Sequence, residues 1–204
     1  MKRKERQCRT IDKQFHTRDE GGEKRIEGYF SVFNDVYELW PGATESVDPH
    51  AFDDALTDDI RALIDHDTRL VLGRTTAGTL TLRVDENGLF GSILINEDDQ
   101  DAMNLYARIQ RGDVSQCSFG FDILDESTEE NRDENGKYTV HWTIKKVKLY
   151  EVSAVTFPAY KETEISARKD DYREIVRRRN EDWKNQMLER MRNRIGGKDV
   201  NKDA

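Results

Sequence analysis

The sequence predicts an α+β fold, in which a mostly antiparallel β-barrel is decorated with helices and followed by a charged C-terminal helix. Short alternating or apolar segments separated by turn signals fill most of residues 26–157, a pattern typical of strands. One segment in that region, residues 98–112, has helical spacing instead. From about residue 168 onward the chain is charged and favours helix. Many short strands with one internal helix favour an antiparallel barrel or sandwich.

The first strands are predicted from their aromatic and β-branched residues and from a turn sequence between two of them. Residues 25–33 are rich in aromatic and β-branched side chains and begin the folded body. Residues 79–84 and 89–95 flank the turn sequence Asp-Glu-Asn-Gly at 85–88, which predicts a hairpin.

The internal helix is predicted by its caps and its apolar stripe. Asp98 or Asp99 can cap the N-terminus, and Gly112 suits the C-terminal end. Between them, helical spacing places on one face Ala102, Leu105, Tyr106 and Ile109.

The second half of the body is predicted as three strands and a loop. Residues 114–124 form a strand, and the acidic stretch at 125–137 is an exposed loop. Residues 138–150 return to strand, and their change of phase predicts a bulge near residues 145–146. Residues 151–157 form a last, nearly apolar strand.

Charge divides the chain into three parts: a basic lead (1–25), a folded domain (26–166) and a charged helical tail (167–204). The whole chain has 33 Lys and Arg against 41 Asp and Glu, a net charge of −8. An acidic body argues against specific nucleic-acid binding, which needs clustered cations. The tail carries a thin apolar face, so it docks on a partner or another copy, or packs loosely on its own chain.

The composition argues against several classes of protein. The sequence contains no run of about 18 apolar residues, so we expect no membrane span. The basic first residues lead into no apolar stretch, so we expect no secretory signal and a reducing, cytoplasmic setting. Two cysteines are too few for a disulfide framework or a zinc finger, and we expect neither metal nor cofactor.

A general base is one interpretation of His66. It follows the short apolar segment at residues 60–64 and precedes residues 69–78, which we interpret as a loop with tight turns at Gly73 and Gly78. Strand ends commonly carry catalytic histidines, although an ordinary surface histidine fits the same position.

Nucleophile candidates lie together in the strand predicted at residues 114–124. Ser118 and Gly120 share one face, and Gly120 there leaves room for a substrate chain. Cys117 lies on the other face with large aromatic residues, as a core cysteine would. The sequence has no nucleophile elbow and no metal-protease motif, so the residues alone leave a Ser–His site open.

Six short blocks recur in a characteristic order between residue 26 and about residue 165. They are residues 26–34 (IEGYFSVFN), 49–52 (PHAF), 63–67 (LIDHD), 72–75 (LGRT), 117–121 (CSFGF) and 151–160 (EVSAVTFPAY). In this order and spacing they resemble the prohead proteases of tailed bacteriophages, the serine proteases that process the capsid precursor. The resemblance implies a fold similar to the herpesvirus assembly protease, a mostly antiparallel barrel surrounded by helices.

Carried over by residue, the resemblance makes His66 the base and Ser118 the nucleophile. Glu151 matches the position that orients the histidine. The herpesvirus enzymes have a second histidine in that role, so His141 is the alternative third member. Such a site needs a base within hydrogen-bond reach of the serine and an acceptor that fixes the tautomer of the base.

The oxyanion hole is left open between three candidates. The backbone amides of Phe119 and Gly120 could donate to the oxyanion, as could the side chain of Arg74. A plain surface arginine is the alternative interpretation of Arg74.

The resemblance implies a serine endopeptidase that acts inside the procapsid, in the host cytoplasm. Its partners would be the major capsid protein and the scaffold protein, one or both of which it would cleave, together with itself. A homodimer or higher oligomer is left open. One alternative is a non-catalytic assembly or scaffolding module of the same fold, and another is a cysteine hydrolase that uses Cys117.

Overall fold

The computed structural model describes residues 7–11, 15–33, 35–132, 136–157 and 161–196. Within them the chain forms eleven strands, two short 3₁₀ helices and two α-helices. The contacts divide it into two compact units, Met1–Glu164 and Ile165–Ala204. The α+β class predicted from the sequence is confirmed.

The larger sheet has seven strands. They are β1 (Gln7–Ile11), β4 (Tyr37–Trp40), β5 (Ala43–Val47), β6 (Arg61–Ile64), β7 (Asp67–Arg74), β10 (Gln116–Arg132) and β11 (Tyr138–Val155). Their order is β1-β10-β11-β5-β4, with β6 paired to a second stretch of β11 and β7 paired to β6. Both β5 and β6 run parallel to β11, so the sheet is mixed.

The smaller sheet is antiparallel throughout. It contains β2 (His16–Glu20), β3 (Glu23–Val32), β8 (Leu80–Val84) and β9 (Gly88–Leu94), in the order β2-β3-β9-β8. Both β1 and β2 lie in the segment that we interpreted as a basic lead. Aromatic rings pack in the hydrophobic core of the first compact unit. Phe52 lies edge-on to Phe119 of β10, with ring centres 5.6 Å apart, and Phe119 stacks on Phe121 with ring centres 4.7 Å apart.

The predicted barrel is wrong, because the two sheets stay open. A closed barrel gives every strand two neighbours. Among the described residues, β1, β4 and β7 of the larger sheet and β2 and β8 of the smaller sheet each pair with one neighbour only. The edge of β11 that does not pair with β10 pairs with β5 along its first part and with β6 along its last part. The larger sheet therefore branches at β11 and does not form the continuous ring of strands that a barrel needs.

The acidic loop predicted at 125–137 is mostly strand. The β10 strand continues to Arg132 and pairs with β11, while residues 133–135 lie outside the described residues. Cross-strand contacts stabilise this ribbon, for example the Arg132 guanidinium 4.4 Å from the Tyr138 ring centre. The two strands predicted at 138–150 and 151–157 are one strand, β11.

Two bulges in β11 decide which of its side chains face the core. The first is at Lys145, because Glu126 pairs with Ile144 and Asp125 with Lys146, and it confirms the predicted bulge. The second is at Tyr150, which is skipped between the paired residues 149 and 151. Each bulge changes the phase by one residue. The core-facing residues are therefore Val140, Trp142 and Ile144, then Val147 and Leu149, and finally Val152 and Ala154.

The internal helix, α1 (Gln100–Arg111), matches its prediction. The Asp99 side chain caps it by accepting hydrogen bonds from the backbone N–H groups of residues 101 and 102, and Gly112 ends it at φ 87°. The predicted apolar stripe is buried.

The loop predicted at 69–78 is largely strand β7. Its partner is β6, which confirms the predicted strand at residues 60–64. Gly78 makes the expected tight turn with φ 71°. A Cβ at Gly73 would lie 2.9 Å from the Thr79 carbonyl oxygen, so close packing of the backbone favours glycine there.

The second unit consists mainly of the long helix α2 (Lys161–Gly196), which begins before the predicted start near residue 168. Exposed apolar side chains lie on its later turns, namely Trp183, Met187, Leu188 and Met191. No helix in the described part of the chain is long and apolar enough to cross a membrane.

Candidate active site

The turn between β6 and β7 presents His66. Ile64 pairs with Asp67, so Asp65 and His66 form a two-residue turn, with φ values of 48° and 60°. Such turns need positive φ at both positions, and aspartate and histidine tolerate it better than most residues. The Asp65 carboxylate accepts hydrogen bonds from the Thr156 backbone N–H at 2.7 Å and hydroxyl at 2.9 Å. The turn is therefore fixed to the end of β11.

The His66 ring meets Glu151. Its Nδ1 lies 2.7 Å from the Glu151 Oε1 atom, and its side chain is 25% exposed. The neighbouring acid Asp67 bonds Arg69 instead, at 2.6 Å. The structure thus brings together His66 and the carboxylate that the resemblance pairs with it.

Glu151 lies on the face of β11 that points away from the core, directly opposite Gly120 of β10. Its second oxygen, Oε2, accepts a hydrogen bond from the Ser153 hydroxyl at 2.6 Å, and the residue is 2% exposed. A Cβ at Gly120 would collide with Oε1 and lie 2.9 Å from Cδ. The space that we expected Gly120 to leave for a substrate is occupied by this carboxylate.

The Ser118 side chain lies on the same face of the sheet as Glu151. Ser118 of β10 pairs with Ser153 of β11, two residues from the pair formed by Gly120 and Glu151, so all four positions lie on one face of the sheet. Ser118 is fully buried, and its Oγ has no hydrogen-bond partner among the described residues. The buried Nε2 of His66 also lacks one within that part of the chain. The two atoms therefore do not bond each other in this structure, and each needs an explanation, because unpaired buried polar atoms are costly.

The charge state of His66 is set by competing effects. Burial opposes protonation, but the contacts with the Cys8 thiol and the Glu151 carboxylate outweigh it and raise the pKa of His66 to about 10. The Cys8 Sγ lies 3.9 Å from Nδ1. In this arrangement the imidazolium form therefore predominates near neutral pH.

The other nucleophile candidate lies in a different environment. Cys117 faces the core, is fully buried, and donates its S–H to the Tyr29 carbonyl oxygen at 2.6 Å. Burial raises the pKa of the Cys117 thiol to about 12, which disfavours the reactive thiolate.

The other candidate for the third member, His141, is engaged elsewhere. Its Nδ1 lies 2.8 Å from the Thr44 hydroxyl and its Nε2 lies 2.9 Å from the Ser46 hydroxyl. Both hydroxyls belong to β5, so this ring is held against that strand while Glu151 occupies Nδ1 of His66.

Each oxyanion candidate is engaged with other partners in the structure. The Arg74 guanidinium forms a two-pronged ion pair with Asp59, at 2.7 and 2.6 Å. Phe119 and Gly120 lie where β10 is paired on both edges, with β1 and with β11, so their amides point along the sheet plane.

Two site residues were missed by the sequence analysis. Ser153 follows Glu151 by two residues in a strand, so strand periodicity alone places both on one face. Cys8 gave no signal, because its contact with His66 depends on the pairing of β1 with β10.

The structure thus shows a histidine in contact with a carboxylate, and a serine on the same sheet face as that carboxylate. These are the residue types of a serine hydrolase. The chain matches the family model of the caudovirus prohead serine proteases over residues 12–178, which is more than half of its length. It therefore belongs to the caudovirus prohead serine protease family, as its sequence blocks indicated.

Among solved structures, the chain is similar to the capsid assembly protease gp21 of bacteriophage T4. It aligns with a TM-score of 0.46 and 15% identity, over 75% of this chain and 98% of that one. No curated protein sequence matches the chain.

Proposed function

We propose that this chain is the capsid-maturation protease of a tailed phage, with Ser118 as nucleophile, His66 as general base and Glu151 as the group that orients the base. The observation that carries the proposal is the 2.7 Å contact between His66 Nδ1 and Glu151 Oε1. That contact leaves Nε2 as the ring nitrogen available to a serine, and the buried Ser118 hydroxyl also lacks a partner among the described residues.

The chemistry follows from this division of the two ring nitrogens. Neutral His66 accepts the Ser118 proton on Nε2 as Oγ attacks the carbonyl carbon of the scissile bond. Glu151 keeps the remaining proton on Nδ1 and stabilises the imidazolium as it forms. His66 then gives its proton to the leaving amine, and water hydrolyses the acyl-enzyme by the same steps in reverse.

The substrates that we propose are the coat-protein precursor, the scaffold protein and the chain itself, cut inside the procapsid. Membership of the prohead protease family supports this choice. A procapsid concentrates coat and scaffold around any enclosed protease, so selective enclosure contributes to specificity.

The test is co-expression with the neighbouring coat and scaffold genes of the same phage. Ser118→Ala and His66→Ala should each abolish processing, because nucleophile and base act as a unit and their losses do not add. The measurement is the mass of the coat protein and of the chain itself. Circular dichroism checks that each variant is folded.

The matched control is Cys117→Ser, since a hydroxyl can donate to the same Tyr29 carbonyl oxygen. This variant should process substrate and lose about 1 kcal/mol of stability. An inactive Cys117→Ser with an active Ser118→Ala would favour the cysteine hydrolase instead. Unprocessed coat protein with the wild-type chain, together with normal assembly, would favour the non-catalytic scaffolding module.

A further inference from the structure

The N-terminal strand places a thiol beside the candidate catalytic pair. In the pairing of β1 with β10, Cys8 lies opposite Gly120, which is itself opposite Glu151. Direct partners in antiparallel strands project to the same face, so Cys8 and Glu151 lie on either side of a position that has no side chain. His66 approaches that position from the turn between β6 and β7.

Three metal-ligating atoms therefore converge on the space above Gly120. The Cys8 sulfur, a His66 ring nitrogen and a Glu151 carboxylate oxygen all lie within 4.8 Å of one another. We propose that Cys8, His66 and Glu151 bind a zinc ion, which holds the base in an inactive state.

The distances suit a small tetrahedral ion. Zinc bonds of about 2.3 Å to sulfur and about 2.0–2.2 Å to nitrogen or oxygen separate neighbouring ligand atoms by about 3.4–3.6 Å. The Sγ–Nδ1 distance of 3.9 Å needs a slight contraction, and the Nδ1–Oε1 distance of 2.7 Å must open by somewhat more. Side-chain rotations would have to make both changes, and water would complete the fourth position.

The strand that carries Cys8 is held firmly. Arg9, which faces the core, forms a buried ion pair with Glu45 of β5. The same guanidinium donates a hydrogen bond to the Cys8 carbonyl oxygen at 2.9 Å. An ion pair of this kind resists displacement, since separating its members leaves a buried charge uncompensated. The thiol is thus positioned before any metal arrives.

Binding would replace protons with metal. The S–H bond of Cys8 breaks as the Zn–S bond forms, and the proton shared by Nδ1 and Glu151 leaves to solvent as the Zn–N and Zn–O bonds form. The ion then withdraws electron density from the ring that must accept the Ser118 proton. A thiolate, an imidazole and a carboxylate favour zinc or cobalt over magnesium and calcium, which prefer oxygen ligands alone.

Metal binding can be tested without any assay of proteolysis. Co²⁺ is added to the purified full-length chain carrying Ser118→Ala, which prevents self-cleavage, and the near-ultraviolet band of a cobalt–thiolate bond is followed. We expect one equivalent to bind, and Zn²⁺ to displace it. Cys8→Ser should abolish the band and weaken Zn²⁺ binding, measured by calorimetry, more than about 100-fold, beyond the usual cost of an outer-shell contact. Cys117→Ser should retain the band.

The inhibitory effect rests on the proposed function and needs the active chain. Zn²⁺ should inhibit peptide cleavage reversibly, and Mg²⁺ at the same concentration should not. Each rate is compared with the metal-free rate of the same variant, and Cys8→Ser should raise the inhibitory Zn²⁺ concentration at least about 10-fold.

The outcomes separate the two proposals. Absence of the cobalt band, or its persistence in Cys8→Ser, would overturn the metal site whatever the activity. A normal band in a chain that cleaves nothing would overturn the proposed function and leave the metal site standing.

Discussion

His66 is held between a carboxylate and a thiol, and both contacts favour its protonated form. As the general base that we propose, His66 must be neutral to act, so the rate of cleavage should rise with pH above the ordinary histidine pKa of 6.5 and level off towards about 10. Because folding raises this pKa, the charge of His66 stabilises the native state fully below pH 6.5. That contribution is lost as pH rises through about 10.

Glu151→Gln tests one of the two contacts, with Cys8 and with Glu151, that raise the pKa of His66. The amide keeps the shape of the side chain but removes the charge that raises the His66 pKa, so the rising limb of the pH–rate profile should move to lower pH. The maximal rate should fall about 10–10³-fold, since the ring is less well oriented. The measurement is the initial rate of peptide cleavage across pH. Wild-type rates in Glu151→Gln, together with severe loss in His141→Ala, would make His141 the third member.

Gly120→Ala is a second test of the same carboxylate. The added Cβ collides with Glu151 Oε1, so the carboxylate must leave His66 or the strands must separate. We expect activity to fall as far as in Glu151→Gln, with a loss of about 1–3 kcal/mol of stability from overpacking. Rates and denaturant unfolding of both single variants and of the double variant measure this.

The double variant provides the decisive comparison. If Gly120 acts through the position of Glu151, adding Gly120→Ala to Glu151→Gln should lower the rate little further. Additive losses would mean that Gly120 affects substrate binding directly, as the sequence analysis expected.

The turn between β6 and β7 makes a separate prediction. Asp65→Ala removes both hydrogen bonds to Thr156 and places alanine at φ 48°, so it should lower stability by about 1–2 kcal/mol and reduce cleavage. Asp65→Asn is the matched control, because asparagine tolerates positive φ and its side-chain oxygen still accepts from the Thr156 N–H. Urea unfolding and peptide cleavage are compared for the two variants. Equal loss in both would show that the charge of Asp65 matters more than the turn.

The comparison of elements shows what local sequence can predict. The caps of α1, the hairpin at residues 85–88 and the first bulge in β11 depend on neighbours within a few positions, and all were predicted correctly. The extension of β10 was missed because acidic side chains favour a loop, whereas pairing with β11 gives them an exposed strand edge or face. Local propensity is weak where tertiary pairing decides.

The candidate site shows the same limit. Glu151 and His66 are 85 residues apart in sequence, and in the sequence only the resemblance to the family connects them. Nothing local in the sequence indicates that the core opens into two sheets, because strand segments alternate alike in a sandwich and in a barrel.

For the whole chain, the long helix should be separable from the sheets in function. The test removes residues 169–204, which belong entirely to the second compact unit. The shortened chain should remain folded and cleave peptides, since the removed turns leave Trp183 and Leu188 more than half exposed. It should enter procapsids less often, because it lacks that apolar surface and the basic side chains around it.

Counting chains per purified procapsid by quantitative mass spectrometry measures incorporation. Trp183→Ala in the intact chain should reduce the count in part, whereas Lys184→Ala, beside it, should have a smaller effect. An unchanged count after truncation would place the docking surface elsewhere, for instance in residues 1–25.

The second bulge of β11 has a consequence for how this family can vary. In a regular strand, alternation from Leu149 would direct the side chains of residues 151 and 153 into the apolar core. Because Tyr150 is an extra residue in the strand, these two side chains lie on the opposite face instead. The face on which the carboxylate lies is therefore determined by the bulge as much as by the identity of any amino acid. Losing the bulge while keeping every residue would turn Glu151 towards Phe119 and Phe121, whereas deletion of Tyr150 would leave Leu149, Glu151 and Val152 in regular alternation, with the carboxylate on its present face. Sequence change in this segment is thus constrained to keep the bulge, or to lose the bulge and its extra residue together.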